Sequence, residues 1–392
     1  MKRLAIFAHF DKDEIIDDYV IDYIKELKKY CEIIFVSDNN LGDYELKKIK
    51  EYCLDIISCK HGEYDFGSYK RGFELIQKKY PSKFDEIDEL LLVNDSCYLV
   101  RSLEKIFFDM EKVNVDYWGL TDDYDHFEED YKYYIGSYFI SLRKSVFTSN
   151  IFKSFILGVE KCQNHDQIVL KYEIGLSYLL NKNNKKGLCY FSRENIATYM
   201  AKNHITLYLE IRKILTQSTS LSQRYINTYL QKIFNITTIN YLHSDKLYFL
   251  FKQDFPLLKR RVVNKNFFEE NHLLSLWKDV IISKNTKLIN QIKDNCTRIG
   301  VDLKNKSDIK KKNHYQICLT LFNEKFPLIK IRNEKFPLIK IIKYYKNDAT
   351  VKSFRFFIFG LKIYKQKFSF YIFGIRVFKV FRSKFNTYNK NG

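Results

Sequence analysis

The chain has 392 residues, 46% of them hydrophobic and 17% aromatic, with a formal net charge of +19. That length and hydrophobicity suit a packed core spread over about two domains, and 4 Pro and 13 Gly exclude a disordered or collagen-like chain. No run of 18 apolar residues occurs, so no membrane-spanning helix is expected.

The opening MKRLAIFAHFDKDE has too short an apolar run for a signal peptide, because His9 and Asp11 interrupt it, and reads as a first strand. Leu4–Ala8 is that strand, and apolar positions from Ile15 to Leu27 at helical spacing predict an amphipathic helix over Glu14–Tyr30. Strands at Glu32–Val36 and Leu54–Ser58 flank a helix over Tyr44–Tyr52. The segment EYDFGSYKRG (63–72) then leads into a helix over Phe73–Lys79, and Leu90–Val93 forms a short, fully apolar strand. Beyond it come a helix at Leu103–Glu111, a strand at Asp116–Leu120, an acidic loop at Thr121–Lys132 and a strand at Ser137–Leu142. Helices over Asn150–Lys161 and Gln167–Leu180 precede a last strand at Cys189–Phe191. Strands alternating with helices over short links predict an α/β domain, residues 1–200, with a doubly wound, mostly parallel sheet.

From about Met200 to Lys312 the pattern is helical, with loops at 235–240 and 264–271, giving a second region at 201–320. The tail, 321–392, contains a near-perfect duplication, NEKFPLIKIR followed at once by NEKFPLIKII, and a second echo at 353–365 and 369–380. Apolar residues there alternate with Lys and Arg at strand period, which predicts short β-hairpins. Charge divides along the same lines: −7 over residues 1–200, +12 over 201–320 and +14 over 321–392. The rear of the chain is therefore the part suited to anionic surfaces. Eight cysteines show neither CxxC nor metal-ligand spacing and read as core residues of a reduced, cytosolic protein.

Two stretches carry candidate chemistry. The Leu90–Val93 strand stops at Asn94-Asp95-Ser96, and ligands bind at the carboxyl ends of strands in open α/β sheets. Asp95, flanked by an amide and a hydroxyl, could hold a hard cation or a sugar hydroxyl; the alternative is a cap for a helix beginning near Arg101. In EYDFGSYKRG, Gly67 and Gly72 permit tight turns, Ser68 lies near a helix N-terminus, and Lys70 and Arg71 would offer positive charge to a diphosphate. The plainer alternative is a glycine turn with a solvated basic pair. Strand, turn, helix, strand and acidic stop is the order that a nucleotide-sugar site needs. His165-Asp166 reads as a capping site before Gln167, and Tyr117 and Trp118 as core.

YDFGSYKRG, LLVNDSCY, DYWGLTDDY, SYFISLRKSVF and YEIGLS together resemble the rhamnan synthesis protein F family, over roughly residues 1–200 and more loosely to PLLKRRVV at 256–263. The resemblance implies a GT-A-like (Rossmann-like) fold and glycosyl transfer in bacterial surface polysaccharide assembly. The donor would be a nucleotide-sugar, dTDP-rhamnose among the candidates, and the acceptor a glycan or lipid-linked glycan. Donor contacts would come from Asp65, Gly67, Ser68, Lys70, Arg71 and Asn94. Where GT-A enzymes have Asp-any-Asp, this chain has Asn94-Asp95-Ser96, so Asp95 is the implied ligand of a Mg²⁺ or Mn²⁺ ion, which one or two carboxylates plus substrate phosphates can hold. Just before SYF, this chain has Tyr134 and Gly136 where the family usually has His and Gln. YEIGLSYLL implies Glu173 as general base of an inverting transfer, with Asp122 and Asp123 as rival bases or second metal ligands; the plainer alternatives are a first-turn glutamate complementing a helix dipole for Glu173 and solvated loop charges for Asp122 and Asp123.

Two other classes compete with the enzyme: a non-catalytic partner in a polysaccharide assembly complex, and a nucleic-acid-binding protein. No finger, RNP or helix-turn-helix signature supports the latter, so no nucleic acid is expected. With its basic tail against anionic lipid, the protein is expected to be cytoplasmic and peripheral at the inner face of the cell membrane.

Overall fold

A computed structural model of the chain describes residues 1–124, 133–218, 223–234, 247–264, 285–300 and the strands between 315 and 381. It divides into two compact units, Met1–Lys306 and Ser307–Gly392.

The first unit is built on a seven-stranded sheet. In chain order the strands up to residue 189 are β1 (Arg3–His9), β2 (Glu32–Ser37), β3 (Asp55–Ser58), β4 (Glu89–Asn94), β5 (Cys97–Leu99), β6 (Tyr117–Gly119), β7 (Asp122–Tyr124), β8 (Tyr133–Ile135), β9 (Phe139–Arg143) and β10 (Gly187–Cys189). The large sheet runs β10-β6-β9-β4-β1-β2-β3, and only β9 is antiparallel to its neighbours. The fold is therefore mixed α/β with a mostly parallel sheet, as the alternation of elements predicts. All six residues of β4 are buried, at the centre of the sheet.

Side-chain alternation decides which face each residue serves. Leu4, Ile6, Leu90 and Leu92 enter one core with Phe66, Tyr69, Phe73 and Ile76 of the helix Tyr64–Lys79. Ala5, Phe7, Leu91 and Val93 enter the other with Tyr19, Val20, Tyr23 and Ile24 of the helix Asp18–Lys28. Each fully buried aliphatic or aromatic side chain contributes about 1.5–3 kcal/mol, so these two faces hold the sheet. Tyr117 and Trp118 are both buried.

Three local expectations are corrected. EYDFGSYKRG is not a turn before a helix: the helix already starts at Tyr64, and both glycines lie inside it. Their smallness serves close packing, since a Cβ on Gly72 would lie 2.4 Å from Ile6 Cγ2 on β1, and one on Gly67 would lie 2.3 Å from Glu63 Cβ. No helix begins near Arg101; β5 comes first, and the helix is Glu104–Glu111. The acidic loop after Leu120 opens with β7, which pairs antiparallel with β8; its middle, 125–132, lies outside the described residues.

The rear of this unit contains the helices Arg193–Lys202, His204–Ser218, Gln223–Ile233, Leu247–Phe251, Arg260–Asn264 and Thr286–Arg298. Ile211, Leu215, Leu230 and Phe249 from these helices join the same core as Phe7 and Phe35. A short strand, β11 (Leu257–Lys259), interrupts them and pairs antiparallel with β5. The loop expected at 235–240 lies outside the described residues, as does the one expected at 264–271 apart from Asn264, which ends a helix.

In the second unit, Tyr315–Leu321 pairs antiparallel with Glu324–Ile331. A five-stranded antiparallel meander follows, from Ile339–Lys346 to Ile375–Phe381. Most of the second copy of the duplication, 332–338, is outside the described residues.

Candidate active site

From β1 the chain proceeds to β2 and β3 on one side, whereas β4 and β9 lie on the other. The carboxyl ends of β1 and β4 therefore diverge into a crevice, the topological switch point at which open α/β sheets bind ligands. A cleft of about 1160 Å³ opens there. Asp38, Asp65, Asp95, Asp122, Asp123 and Glu173 contribute carboxylates to its lining; Lys60, Arg193, Lys259, Arg260 and Arg261 contribute cations.

Asp95 follows the last residue of β4. Its N–H donates to the carbonyl of Ala8 at 3.1 Å. Its Oδ2 accepts from the N–H of Phe10 at 3.3 Å and lies 3.6 Å from a terminal guanidinium nitrogen of Arg260. Burial raises its carboxyl to about 6, although Arg260 and the Phe10 N–H favour the charged form. His9, at the end of β1, is 3.9 Å away through Nε2. Burial lowers its imidazole to about 4, so at neutral pH it is uncharged, with Nδ1 2.9 Å from Ser37 Oγ.

Asp65 enters the cleft from the first turn of Tyr64–Lys79. Tyr64 stands at φ 57°, in the left-handed region that few non-glycine residues adopt, where the chain turns into this helix. Asn94 Nδ2 donates to Asp65 Oδ2 at 2.6 Å. Asn94 Oδ1 in turn accepts from Ser96 Oγ at 2.5 Å and from the Ser96 N–H at 3.1 Å. Burial first, and the neighbouring Asp95 second, raise Asp65 to about 6.

Glu173 also lines the cleft, from a six-residue π-helical segment, Val169–Ile174, within the helical run from His165 to Lys182. It is two turns from the start of that run, so the helix-dipole alternative loses its premise. Single π turns inside helices recur at functional sites because they re-aim one side chain. The N–H of Ser137 donates to Glu173 Oε1 at 2.8 Å. Asp122 Oδ1 accepts the N–H of Arg193 at 2.8 Å, and Asp123 Oδ1 is 3.4 Å from the Arg193 guanidinium. Burial raises Asp122 above the usual carboxylate range.

The structure thus brings together Asp65, Asn94, Asp95, Asp122 and Glu173. It does not bring in Gly67, Ser68, Lys70 or Arg71, none of which lines the cleft. Because the segment is helical, these residues point around its circumference. Ser68 Oγ is 3.0 Å from His61 Nε2, Lys70 Nζ donates to the carbonyl of Val159 at 2.9 Å, and Arg71 pairs with Glu63 at 2.7 Å.

Several lining residues were not singled out in the sequence, among them Asp38, Lys259 and Arg260. Asp38, just after β2, accepts the N–H groups of His61 and Gly62 at 2.5 and 2.7 Å. Lys259 and Arg260 arrive on β11 and just after it; the only sequence signal was the basic run in PLLKRRVV.

Among the described residues, no group of three or more His, Cys, Asp and Glu side chains is arranged around one ion. Two hard carboxylates that line one cleft, Asp95 and Asp65, still fit a Mg²⁺ or Mn²⁺ ion that takes its other oxygens from phosphates and water. Also among the described residues, no helix is long and apolar enough to cross a membrane.

A mostly parallel sheet with a large cleft at its switch point, into which several carboxylates and cations project, defines an α/β protein of the kind that binds ligands at its strand ends. Residues 33–218 match the family model of rhamnan synthesis protein F, the family that the sequence motifs resemble. No curated protein matches the chain. Among solved structures, core-mannan synthase A from Aspergillus fumigatus in its Mn/GDP form is 11% identical at a TM-score of 0.29, covering 46% of this chain and 69% of that one. The glycosyltransferase GlyE of Streptococcus pneumoniae, in its apo form, is 13% identical at 0.30, covering 66% of each chain. The mannosyltransferase Ktr4p of S. cerevisiae, in complex with GDP, is 10% identical at 0.28, covering 40% of this chain and 60% of that one.

Proposed function

We propose that the protein is a glycosyltransferase of surface polysaccharide assembly that moves a sugar from a nucleotide-diphosphate donor to a glycan or lipid-linked glycan acceptor. The observation that supports this reading is the convergence of Asp65, Asn94, Asp95 and Glu173 on the lining of one switch-point cleft, in a chain matching rhamnan synthesis protein F. The family name makes dTDP-rhamnose the first donor to try.

Glu173 takes the proton of the acceptor hydroxyl as its oxygen bonds to the anomeric carbon. The bond from that carbon to the donor diphosphate breaks on the opposite face, and the diphosphate leaves with the electron pair, so the configuration inverts. Asp95, with Asp65 beside it, would hold the divalent ion, which when bound offsets charge on the departing diphosphate.

Turnover of a nucleotide-sugar panel by the full chain, with Mg²⁺ or Mn²⁺ and then with chelator, tests this. Donor consumption that depends on metal is expected, and Asp95→Ala should abolish it while melting as a folded protein. No turnover of any donor would sink the enzyme reading in favour of a non-catalytic partner. Salt-sensitive retention of nucleic acid in its place would favour the third class.

The tail, with a net charge of +14 over 321–392, supports a second, finer part of the proposal: reversible attachment to anionic lipid at the cytoplasmic membrane face. Each Lys or Arg near such a surface contributes about 1 kcal/mol. Co-sedimentation with phosphatidylglycerol vesicles should therefore be strong in low salt and lost when the chain is cut at Leu321. Sedimentation that ignored salt or the truncation would rule the tail out as the attachment.

A further inference from the structure

The acidic cleft has a cationic side that the mechanism above does not use. β11 pairs with β5 so that Leu258 faces Tyr98 and Lys259 faces Cys97. The N–H of Arg260 then donates to the carbonyl of Ser96 at 2.9 Å. These backbone bonds fix two consecutive cations beside the end of β4, although some 160 residues separate them in the chain.

Among the described residues, both side chains are held in place with donors left over. Lys259 Nζ donates to Ser96 Oγ at 2.8 Å and stands 4.1 Å from the centre of the Tyr138 ring. Ser96 passes the contact on through Asn94 to Asp65, so the ammonium is at one end of a continuous polar chain. The Arg260 guanidinium lies 5.1 Å over the Tyr19 ring, and its side chain is only 17% exposed. A guanidinium carries five N–H donors. Its Nε has no hydrogen-bond partner among the described residues, and its contact with Asp95, at 3.6 Å, is an ion pair too long for a hydrogen bond. A buried guanidinium with an unpartnered Nε beside an ammonium, both lining an open cleft, suits an anion with several oxygens. A diphosphate has that shape and charge, and Arg can meet it with two parallel bonds.

We propose that Lys259 and Arg260 form the diphosphate-binding pair of this cleft and hold the donor's diphosphate as its bond to the sugar breaks. The identity of the diphosphate as the donor's rests on the transferase reading; the anion site does not. Positive charge at the leaving group is thereby supplied by the protein, in addition to any ion at Asp95. The pair also lies outside residues 33–218, so the segment after the matched region completes the site.

Calorimetric titration of the full chain with inorganic pyrophosphate in the presence of EDTA tests the pair directly. Wild type should bind, and Lys259→Met and Arg260→Gln should each bind about 10- to 100-fold more weakly, the range expected for losing a charge-assisted hydrogen bond. Arg260→Lys keeps one charge beside Asp95 and should retain part of the affinity, which separates anion binding from a folding defect. Melting curves of each variant provide the second control. Wild-type binding that requires metal, or variants that bind as wild type does, would overturn the proposal. In competition, nucleoside diphosphates should displace pyrophosphate more effectively than farnesyl diphosphate; the reverse order would overturn the donor assignment in favour of a lipid-linked diphosphate. A wild type that binds pyrophosphate yet consumes no nucleotide-sugar would leave the anion site standing and remove the transferase reading. An active wild type with unaffected variants would do the opposite.

Discussion

Replacing Glu173 with Gln should lower the transfer rate 10²- to 10⁴-fold, the range for loss of a positioned general base. Glutamine keeps the volume, and its amide oxygen can still accept the Ser137 N–H that now bonds Glu173 Oε1 at 2.8 Å. The packing of the π segment is therefore preserved: Tyr172 and Ile174, the buried residues on either side, keep their places. What is lost is the ability to take a proton. The loss should appear in kcat, with nucleoside-diphosphate affinity unchanged, because Lys259, Arg260 and Asp95 are untouched. A variant with normal kcat would remove Glu173 as the base and return attention to Asp122. Asp122, like Glu173, has one oxygen held by a backbone N–H, that of Arg193, and one left to take a proton. A variant with a lowered melting temperature and a normal rate would mark Glu173 as a support for the Ser137 loop.

The parts of this site that could be read from the sequence are those whose signal is local. Four apolar residues ending in Asn94-Asp95-Ser96 announce a buried strand and its polar end, and β4 is that strand. Helical spacing between Ile15 and Leu27 likewise marks the helix Asp18–Lys28. The glycines of EYDFGSYKRG misled, because a glycine needed for a turn and a glycine needed for close packing look identical in sequence. The distance from Gly72 to Ile6 is a tertiary fact. With the turn went the expected anion contacts of Ser68, Lys70 and Arg71, since a helix directs those side chains away from the cleft. Lys259 and Arg260 were hidden for the complementary reason. Their role depends on pairing between β11 and β5, and no local periodicity reports a contact across so much chain. Glu173 came forward through family resemblance, because a glutamate on a helix has no spacing signature of its own.

Replacing Glu89 with Ala should destabilise the first unit by about 3–5 kcal/mol, the cost of breaking a buried charge network from one side. Glu89 opens β4 and is fully buried. Its Oε2 accepts from Arg3 Nε at 2.6 Å, and its Oε1 accepts from Trp118 Nε1 at 2.7 Å and lies 3.0 Å from Arg143. Arg3 and Arg143 are its register partners on β1 and β9, so one carboxylate ties together the three central strands and, through Trp118, β6. Alanine would leave two guanidinium groups in the interior. Both retain contacts that limit the loss, Arg3 with Glu111 and the Phe107 ring, and Arg143 with the Met110 carbonyl and the Met1 sulfur. Glu89→Gln keeps an acceptor without the charge and should fall between wild type and Ala. Denaturant unfolding of the three proteins checks the order; a loss below about 1 kcal/mol for Ala would show that the network is not needed. The consequence for the site follows from register. A slip of β4 by one residue turns every side chain to the opposite face. It would move Asn94 and Asp95 out of their places against Asp65 and Ala8. Glu89→Ala should therefore weaken pyrophosphate and metal binding together, although Glu89 lies at the opposite end of the strand from the cleft.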